Sequence, residues 1–325
     1  MKAVATTETD GKGLALCARY FQAVGAPLLA ERFPRWVGRI AAGLVGDGSD
    51  CFGFDDLISR DHDWGPGFCL WLTAEDYARV GDELAAALVS LPGEFDGVAT
   101  RATSAWGQGR TGVFELGGFY RRFIGLNRPP ETLREWRFIP EGHLAAATNG
   151  EVFHDPLGSF SAFRETLLGF YPEDIRLKMM ATRCMTMAQA GQYNYERCLR
   201  RGEVVAAQRA EAQFIDAAIS MVFLLNRRYK PYFKWMHRAV KALPLLGTTV
   251  FRLTRDLVTC HERHFGVGLA RQKQVLMERV CSAVAGVLRD QGLSDAGSDH
   301  LLEHGPRLQA RIQDPGIRAL DIWAP

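Results

Sequence analysis

Acidic residues are crowded into the stretch from Asp47 to Asp63, where six carboxylates are opposed by a single arginine, Arg60. Two of the acids, Asp61 and Asp63, are separated by one residue. Alternate side chains of a β-strand project from the same face, so on a strand both carboxylates would lie on one side, with about 7 Å between their Cα atoms. Carboxylate oxygens are ligands that Mg²⁺ prefers, and bound cations would relieve the repulsion. The pair is therefore a candidate metal site.

A glycine–serine pair, Gly48-Ser49, stands between these acids and the apolar run Ile40–Val45, which is typical of a short buried strand. A glycine turn at the end of a strand lets backbone N–H groups approach phosphate oxygens closely. Phosphate held by the turn and metal held by the acids would together form a site for a nucleoside triphosphate. The glycine–serine turn and the acid pair together indicate a nucleotide site more specifically than either feature does alone.

The same residues resemble the signature of the DNA polymerase β-like nucleotidyltransferase superfamily. That signature is a Gly-Ser or Gly-Gly pair followed, after a short interval, by two acids that alternate with other residues on a strand. Gly48, Ser49, Asp61 and Asp63 match these positions. His62 departs from the pattern, because an apolar residue is usual there.

Longer stretches resemble one bacterial family that is labelled a domain of unknown function. They are GDGSDCFGFDD-ISRDHDWGPGF, TMAQAGQYNYERCLRRGE and FLLNRRYKPYFKWMHR, and the similarity runs from about Phe33 to Gly247. The outer architecture resembles that of kanamycin-type antibiotic nucleotidyltransferases. This implies an α/β (α+β) nucleotidyltransferase domain with a mixed sheet, followed by an all-α domain.

The resemblance also implies an activity. It is the Mg²⁺-dependent transfer of a nucleoside monophosphate, AMP from ATP by family analogy, to a hydroxyl of a small molecule, with release of pyrophosphate and two Mg²⁺ ions at the site. Two alternatives are a protein-modifying adenylyltransferase and a non-catalytic nucleotide-binding sensor. No residue pattern reads adenine. No membrane partner is expected, because apolar runs such as Ala217–Leu225 are too short to span a bilayer. A nucleic-acid partner is not expected, since no contiguous basic groove with stacking aromatics is evident.

A third acid is normal in this superfamily. Glu115 is the first candidate for the third metal ligand or general base, because its carboxylate stands among apolar neighbours and would be costly to bury unpaired. Asp155 is the other candidate, and the sequence leaves the choice open.

Basic and aromatic residues in the second half supply the remaining candidates. Lys230 precedes a proline and is expected in a bend, while Lys234 and Arg238 come next with the spacing of one helix face. The resemblance implies that Lys230 or Lys234 binds the triphosphate. Tyr193 and Asn194, beside an expected helix break at Gly191, and Arg238 are candidates for a substrate pocket.

These residues need elements to position them. Strands are predicted at 40–45, 68–72, 98–104 and 113–116, and a helix capped by Thr73 runs to Leu91. Residues 1–156 are therefore predicted to form the α/β catalytic domain. Residues 157–325 are predicted to form the helical domain. Its helices are expected at 160–169, 172–190, 193–201, 203–226, 232–243, 250–265 and 269–291.

Composition is that of an ordinary globular protein, with 47% hydrophobic and 23% charged residues in a chain of 325. Residues 1–150 carry 15 basic and 19 acidic side chains, a net charge of −4, whereas residues 151–325 carry 24 and 18, a net charge of +6. An acidic first half and a basic second half suit a ligand that combines metal cations with phosphate anions. The seven cysteines are spread out without a CxxC pair, which favours reduced thiols and a cytoplasmic location.

Overall fold

The computed structural model describes residues 12–61, 63–101, 109–260 and 268–324. The chain divides into two compact units. Unit 1 consists of Met1–Pro130 and His143–Gly169, and unit 2 of Glu131–Gly142 and Phe170–Pro325. This division differs from the expected boundary at residue 156, because the chain crosses between the units three times.

All strands of the described residues belong to unit 1. They are β1 Ala41–Leu44, β2 Cys69–Leu72, β3 Glu94–Phe95, β4 Val98–Ala99, β5 Gly112–Glu115 and β6 Glu151–His154. β3 and β4 form a two-stranded hairpin. The other four form a mixed sheet in the order β5-β2-β1-β6, in which β5 is parallel to β2 and the remaining pairs are antiparallel.

The register of the sheet defines its two ends. One end, called here the loop end, consists of Leu44, Cys69, Gly112 and Glu151. The opposite end, called the far end, consists of Ala41, Leu72, Glu115 and His154. Each strand of this four-stranded sheet has four residues, so the two ends are about 10 Å apart along a strand.

The helices are numbered in chain order. They are α1 Gly13–Tyr20, α2 Ala26–Arg32, α3 Ala74–Val89, α4 Leu116–Ile124, α5 Leu133–Phe138, α6 Glu141–Thr148, α7 Ser159–Leu168, α8 Glu173–Met187, α9 Tyr195–Arg200, α10 Val204–Leu225, α11 Phe233–Val240, α12 Gly247–Thr259, α13 Gly268–Asp290, α14 Leu301–Ala310 and α15 Pro315–Arg318. Two π-helical segments, Phe21–Gly25 and Ala188–Asn194, join α1 to α2 and α8 to α9.

The central strands are apolar on both faces because helices cover both. Leu70 and Leu72 lie in one core cluster with Phe21 from the N-terminal helices and Leu84 from α3. Trp71 faces the other way, and its ring stacks on Phe160 of α7 at a centroid distance of 3.8 Å. The sheet is therefore the middle layer of unit 1.

The first helical stretch, Gly13–Arg32, is long and apolar enough to span a membrane by length and composition alone. Tyr20, Phe21 and Leu29 of this stretch are buried in the core of unit 1. A core helix of a globular domain and a signal sequence near the N-terminus pass the same test.

In its described residues, unit 2 is entirely helical, with α8 packed against α10 and α14. The predicted break at Gly191 is not a break, because the chain continues there as the π-helical segment. A Cβ on Gly191 would lie 2.4 Å from Cδ2 of Phe214, so the glycine permits close packing. The predicted fold class, an α/β domain with a mixed sheet followed by a helical domain, is confirmed.

Candidate functional site

The loop of residues 45–68 connects β1 to β2, the two central strands of the sheet. Because these strands are antiparallel, the loop leaves and re-enters the sheet at the loop end. Gly48, Ser49, Asp61 and Asp63 all belong to this loop. The predicted order of strand, glycine–serine turn, acids and strand is thus present in the chain.

The turn is tied to the start of β6 by an asparagine. The N–H of Gly46 donates to Oδ1 of Asn149 at 3.0 Å, and Nδ2 of Asn149 donates to the carbonyl of Gly46 at 2.6 Å. The N–H of Gly150 donates to the carbonyl of Cys51 at 2.9 Å. Backbone on both sides of Gly48 and Ser49 is therefore fixed.

Gly48 and Ser49 use their carbonyl groups within the loop. These accept hydrogen bonds from the N–H groups of Phe52 and Phe54, at 3.4 and 2.9 Å. A Cβ on Gly48 would lie 2.1 Å from Oδ1 of Asp50, so a side chain there would clash. Among the described residues, no protein group accepts a hydrogen bond from the backbone N–H of Gly48 or Ser49. Ser49 is partly exposed and Gly48 is buried, and neither N–H is used by the described residues.

Asp50, the next residue, is buried with Arg101 as its partner. The two side chains are 2% and 3% exposed, and Nη2 of Arg101 donates to Oδ2 of Asp50. Burial lowers the pKa of Arg101, but the charge and hydrogen bond of Asp50, together with smaller contributions from Cys17 and Cys51, raise that pKa above its usual value. A buried charge is tolerated only with such a partner.

Three buried thiols, those of Cys17, Cys51 and Cys69, lie around this ion pair. Burial raises the pKa of Cys17 to about 11 and that of Cys69 to about 12. Both therefore remain protonated at neutral pH, and Asp50 rather than a thiolate balances the charge of Arg101.

The other buried acids of the loop are also compensated. Asp55 accepts hydrogen bonds from the N–H of Gly13 at 2.8 Å and from Nε1 of Trp64 at 3.1 Å, with Nζ of Lys12 3.9 Å away. The carboxylate of Asp63 lies 3.7 Å from Nη1 of Arg110. Each buried carboxylate of the loop thus has its own partner. The partners are charged side chains or an N–H group from outside the loop and, for Asp55, also the indole of Trp64 within it.

The prediction that Asp61 and Asp63 lie on a strand is wrong. Asp61 is exposed at the end of a 3₁₀ helix, Ile58–Asp61, and Asp63 is buried with a φ of 50°. His62 lies outside the described residues. Strand β2 starts only at Cys69, after Pro66, which has no N–H to donate to a ladder.

The described residues do not fit a two-metal site. They contain no group of three or more His, Cys, Asp or Glu side chains that could hold a metal ion. The side chain of Asp63 is 1% exposed, and the guanidinium of Arg110 already supplies a positive charge beside it. Coordination of Mg²⁺ by Asp61 and Asp63 stays a prediction.

Both candidates for the third acid lie away from this loop. Glu115 belongs to the far end of the sheet, and Asp155 is the residue after His154, also of the far end. The carboxylate of Glu115 accepts hydrogen bonds from the N–H groups of Gly117 and Gly118 and caps α4. Asp155 accepts a hydrogen bond from the N–H of Ser161 at 2.7 Å. The register places neither beside the loop.

The predicted phosphate-binding lysines belong to unit 2. Nζ of Lys230 lies 2.7 Å from Oδ1 of Asp216, so its charge is balanced within that unit. Lys234 and Arg238 lie on α11 and flank the ring of Trp235, with Nζ and Cζ at 5.2 and 5.8 Å from its centroid. Lys234 remains the stronger candidate of the two lysines, because it is exposed.

The predicted pocket residues of unit 2 are separate from its large cavity. Tyr193 and Asn194 lie in the second π-helical segment, with the guanidinium of Arg197 4.6 Å from the ring centroid of Tyr193. A cavity of about 930 Å³ lies between α9 and α13. Its lining includes Glu196, Arg200, Gln274 and Arg279 but none of the three predicted pocket residues.

Three residues that contact the loop were not predicted from the sequence: Arg101, Arg110 and Asn149. The excess of acids over bases in the loop was a usable signal, because buried carboxylates require cations from elsewhere in the chain. Nothing in the sequence distinguished these two arginines from the others.

Comparison with known proteins gives two matches. The model of a domain of unknown function, DUF4037, matches residues 136–236, within the stretch for which such a family was expected. A crystal structure of a nucleotidyltransferase-like protein from Exiguobacterium sibiricum is similar to this chain, with a TM-score of 0.36 and 11% identity. The match covers 83% of this chain and 76% of that one. No curated protein matches.

Proposed function

We propose that the protein is a nucleotidyltransferase whose unit 1 binds the phosphates of a nucleoside triphosphate at the Gly48–Ser49 turn. The observation that carries this proposal is the pair of N–H groups at the end of a central strand that donate to no protein acceptor in the described residues. Successive backbone N–H groups in a turn form a concave site for phosphate oxygens. Asn149 holds the turn in place, so little order must be gained on binding.

The charges around the turn support the same function. Arg101 compensates Asp50, and Arg110 lies beside Asp63, so the buried acids of the loop present less negative charge to a polyphosphate. An uncompensated cluster of carboxylates would repel the anion. The two arginines thus make an acidic loop compatible with a phosphate ligand.

The proposed reaction is transfer of the nucleoside monophosphate to an acceptor hydroxyl. The hydroxyl oxygen bonds to the α-phosphorus and loses its proton, while the bond to the pyrophosphate oxygen breaks and pyrophosphate leaves. ATP with Mg²⁺ is the proposed donor. A small molecule is the proposed acceptor.

Binding is tested by calorimetry with ATP and with inorganic tripolyphosphate, with and without Mg²⁺. Ser49→Pro removes one of the two N–H donors, whereas Ser49→Ala keeps it and serves as the matched control. We expect Ser49→Pro to bind tripolyphosphate at least tenfold more weakly and Ser49→Ala to bind it like the wild type. A thermal melt confirms that each variant is folded. Equal affinities for the two variants, or no binding by the wild type, would overturn the proposal.

Transfer is tested separately, by detection of pyrophosphate from Mg-ATP in the presence of a metabolite extract, with mass spectrometry of the product. Asp61→Asn tests the predicted metal ligand: if Asp61 holds Mg²⁺, release is abolished, whereas Asp82→Asn, at an exposed acid of α3, is expected to leave release unchanged. Binding without any release of pyrophosphate would instead favour the non-catalytic sensor. The ion pair of Asp63 with Arg110 is the observation that favours this second candidate.

A further inference from the structure

The link between α6 and β6, which consists of Asn149 and Gly150, fastens the Gly48–Ser49 turn on both of its sides. The side chain of Asn149 bonds to both backbone groups of Gly46, and the N–H of Gly150 donates to the carbonyl of Cys51. Gly150 has a φ of 64°, a conformation that residues with a side chain rarely adopt. The conformation of the turn therefore depends on what holds this link.

One arginine holds the link. Nη2 of Arg164 donates to three successive carbonyl groups, those of Thr148, Asn149 and Gly150, at 2.7, 3.0 and 3.2 Å. Hydrogen bonds from a charged donor are stronger than those between neutral groups. Thr148 is the last residue of α6, so the positive charge also lies at the negative end of that helix. The guanidinium thus restrains the backbone where α6 ends and the link begins.

Arg164 is itself carried by a fixed element. It lies on α7, one residue after Phe163 and one turn after Phe160. The ring of Phe160 stacks on Trp71 of β2, and the ring of Phe163 stacks on Tyr120 of α4, each with a centroid distance of 3.8 Å. These ring contacts hold α7 against the sheet and α4, so the position of the guanidinium is defined.

The contacts of Arg164 point to this restraint as its role. In the described residues, its Nε is buried without an acceptor and no carboxylate forms an ion pair with its guanidinium. A buried N–H without an acceptor costs free energy of folding, and so does a cation removed from water without a counter-charge. The hydrogen bonds that the structure gives to this side chain all go to the three carbonyls at the link.

We infer that Arg164 is a positioning residue for the phosphate site, because it holds the link and, through the link, the Gly48–Ser49 turn in the conformation that binds phosphate. The inference rests on the proposed function and adds to it a residue that contacts no ligand. A site that is ordered before binding loses less conformational freedom on binding. Loss of the guanidinium should therefore weaken phosphate affinity in a protein that is still folded.

Two variants of α7 provide a matched test. Arg164→Met removes the donors and keeps a long side chain, whereas Phe163→Leu weakens the packing of the same helix and keeps the arginine. Calorimetry well below the melting temperature is expected to show Arg164→Met binding inorganic tripolyphosphate at least fivefold more weakly than the wild type. Phe163→Leu is expected to lower the melting temperature and to leave this affinity unchanged. Equal weakening by the two variants would show an effect of general stability and overturn the inference.

A double-mutant cycle tests whether Arg164 acts through the link. Asn149→Ala is expected to weaken the binding of tripolyphosphate by itself. Two residues that act through one contact are not additive, so the loss in the double variant should be at least threefold smaller than the product of the two separate losses. Separate losses that multiply in the double variant would show independent effects and count against the inference.

Hydrogen exchange of the Gly46 amide, which donates to Asn149, measures the restraint of the turn without any ligand. We expect this amide to exchange at least tenfold faster in Arg164→Met than in the wild type, and at the wild-type rate in Phe163→Leu. Unchanged exchange in Arg164→Met, or unchanged affinity for tripolyphosphate, would overturn the inference and leave the proposed function standing. If the wild type binds no tripolyphosphate, the proposed function fails, and this role of Arg164 fails with it.

Discussion

Individual carboxylates of the 45–68 loop are buried because each has its own partner. Asp50 has Arg101, and Asp63 has Arg110. Desolvation of a charge costs several kcal/mol, and a paired opposite charge with hydrogen bonds offsets that cost. The loop therefore depends on cations that lie far away in the sequence.

Removal of one partner from the buried pair of Asp50 and Arg101 should strongly destabilise unit 1. Asp50→Asn leaves a guanidinium buried without a counter-charge, and we expect the free energy of unfolding to fall by about 3–5 kcal/mol. Urea denaturation monitored by circular dichroism measures this. Asp82→Asn, at an exposed site, should change the value by less than about 0.5 kcal/mol. An Asp50→Asn variant within about 1 kcal/mol of the wild type, on the scale of that control, would show that the pair is not a stabilising unit.

The sequence was informative about Gly48 and Ser49 but not about the geometry of Asp61 and Asp63. A glycine turn after an apolar run is a local property, and local properties can be read from adjacent residues. An alternation of only two acids is too short to establish a strand. Here Gly65 and Pro66 delay the strand, and the acids lie in a loop with helical and left-handed backbone.

At the scale of elements, Glu115 shows how the role of a residue depends on the element that comes after it. It ends β5 and is the N-cap of α4, so strand and helix meet without a linker. A carboxylate at this position satisfies free N–H groups and interacts favourably with the positive end of the helix dipole. Its place among apolar neighbours, which in the sequence suggested a catalytic acid, is explained by this cap.

Glu115→Ala discriminates between the cap and a catalytic role. Loss of an N-cap side chain costs about 0.5–2 kcal/mol, and we expect a decrease of that size in the free energy of unfolding. Binding of ATP, and any release of pyrophosphate, should remain at wild-type levels in the folded variant. Glu83→Ala, an exposed acid of α3, is the control for loss of a surface charge. A folded Glu115→Ala variant without activity would restore Glu115 to the candidate site.

Helices were largely predictable, because their periodicity extends over many residues, whereas the connections between them were not. Gly191 was expected to end a helix, and yet the chain passes it as π-helix with the ring of Phe214 packed against it. A glycine that breaks a helix and one that admits a neighbouring side chain look the same in a sequence. The register of the sheet places Glu115 and Asp155 at the far end. It likewise depends on pairing between strands that are far apart in the sequence.

At the scale of the whole molecule, the division into units could not be read from composition. The segment Glu131–Gly142 belongs to unit 2 although the residues on both sides of it belong to unit 1. Its short helix α5 starts with a capping box formed by Thr132 and Glu135, which is a purely local signal. Local signals locate an element but do not say which unit it joins.

The C-terminal segment of unit 2 is fastened by a buried lysine, whose Nζ donates to the carbonyls of Asp321, Ile322 and Ala324 at 2.9, 3.1 and 2.7 Å. This lysine is Lys178 of α8, and it is 1% exposed. Burial, with a smaller contribution from the charge of Arg137, lowers its pKa from 10.5 to about 8, and Asp321 opposes the shift. The closure of the chain on α8 is therefore linked to pH.

The depressed pKa of Lys178 makes the stability of the protein rise with pH in the alkaline range. Between pH 8 and pH 10.5 the unfolded chain keeps the proton of Lys178 while the folded protein loses it, so the free energy of unfolding gains a contribution that increases with pH. Lys178→Met lacks this titration. We expect the stability of the wild type relative to Lys178→Met, measured by urea denaturation, to be constant well below pH 8 and to increase as the pH is raised from 8 towards 10.5. A relative stability that stays flat or falls over that range would show that the ammonium is not destabilised by its burial under the C-terminal segment.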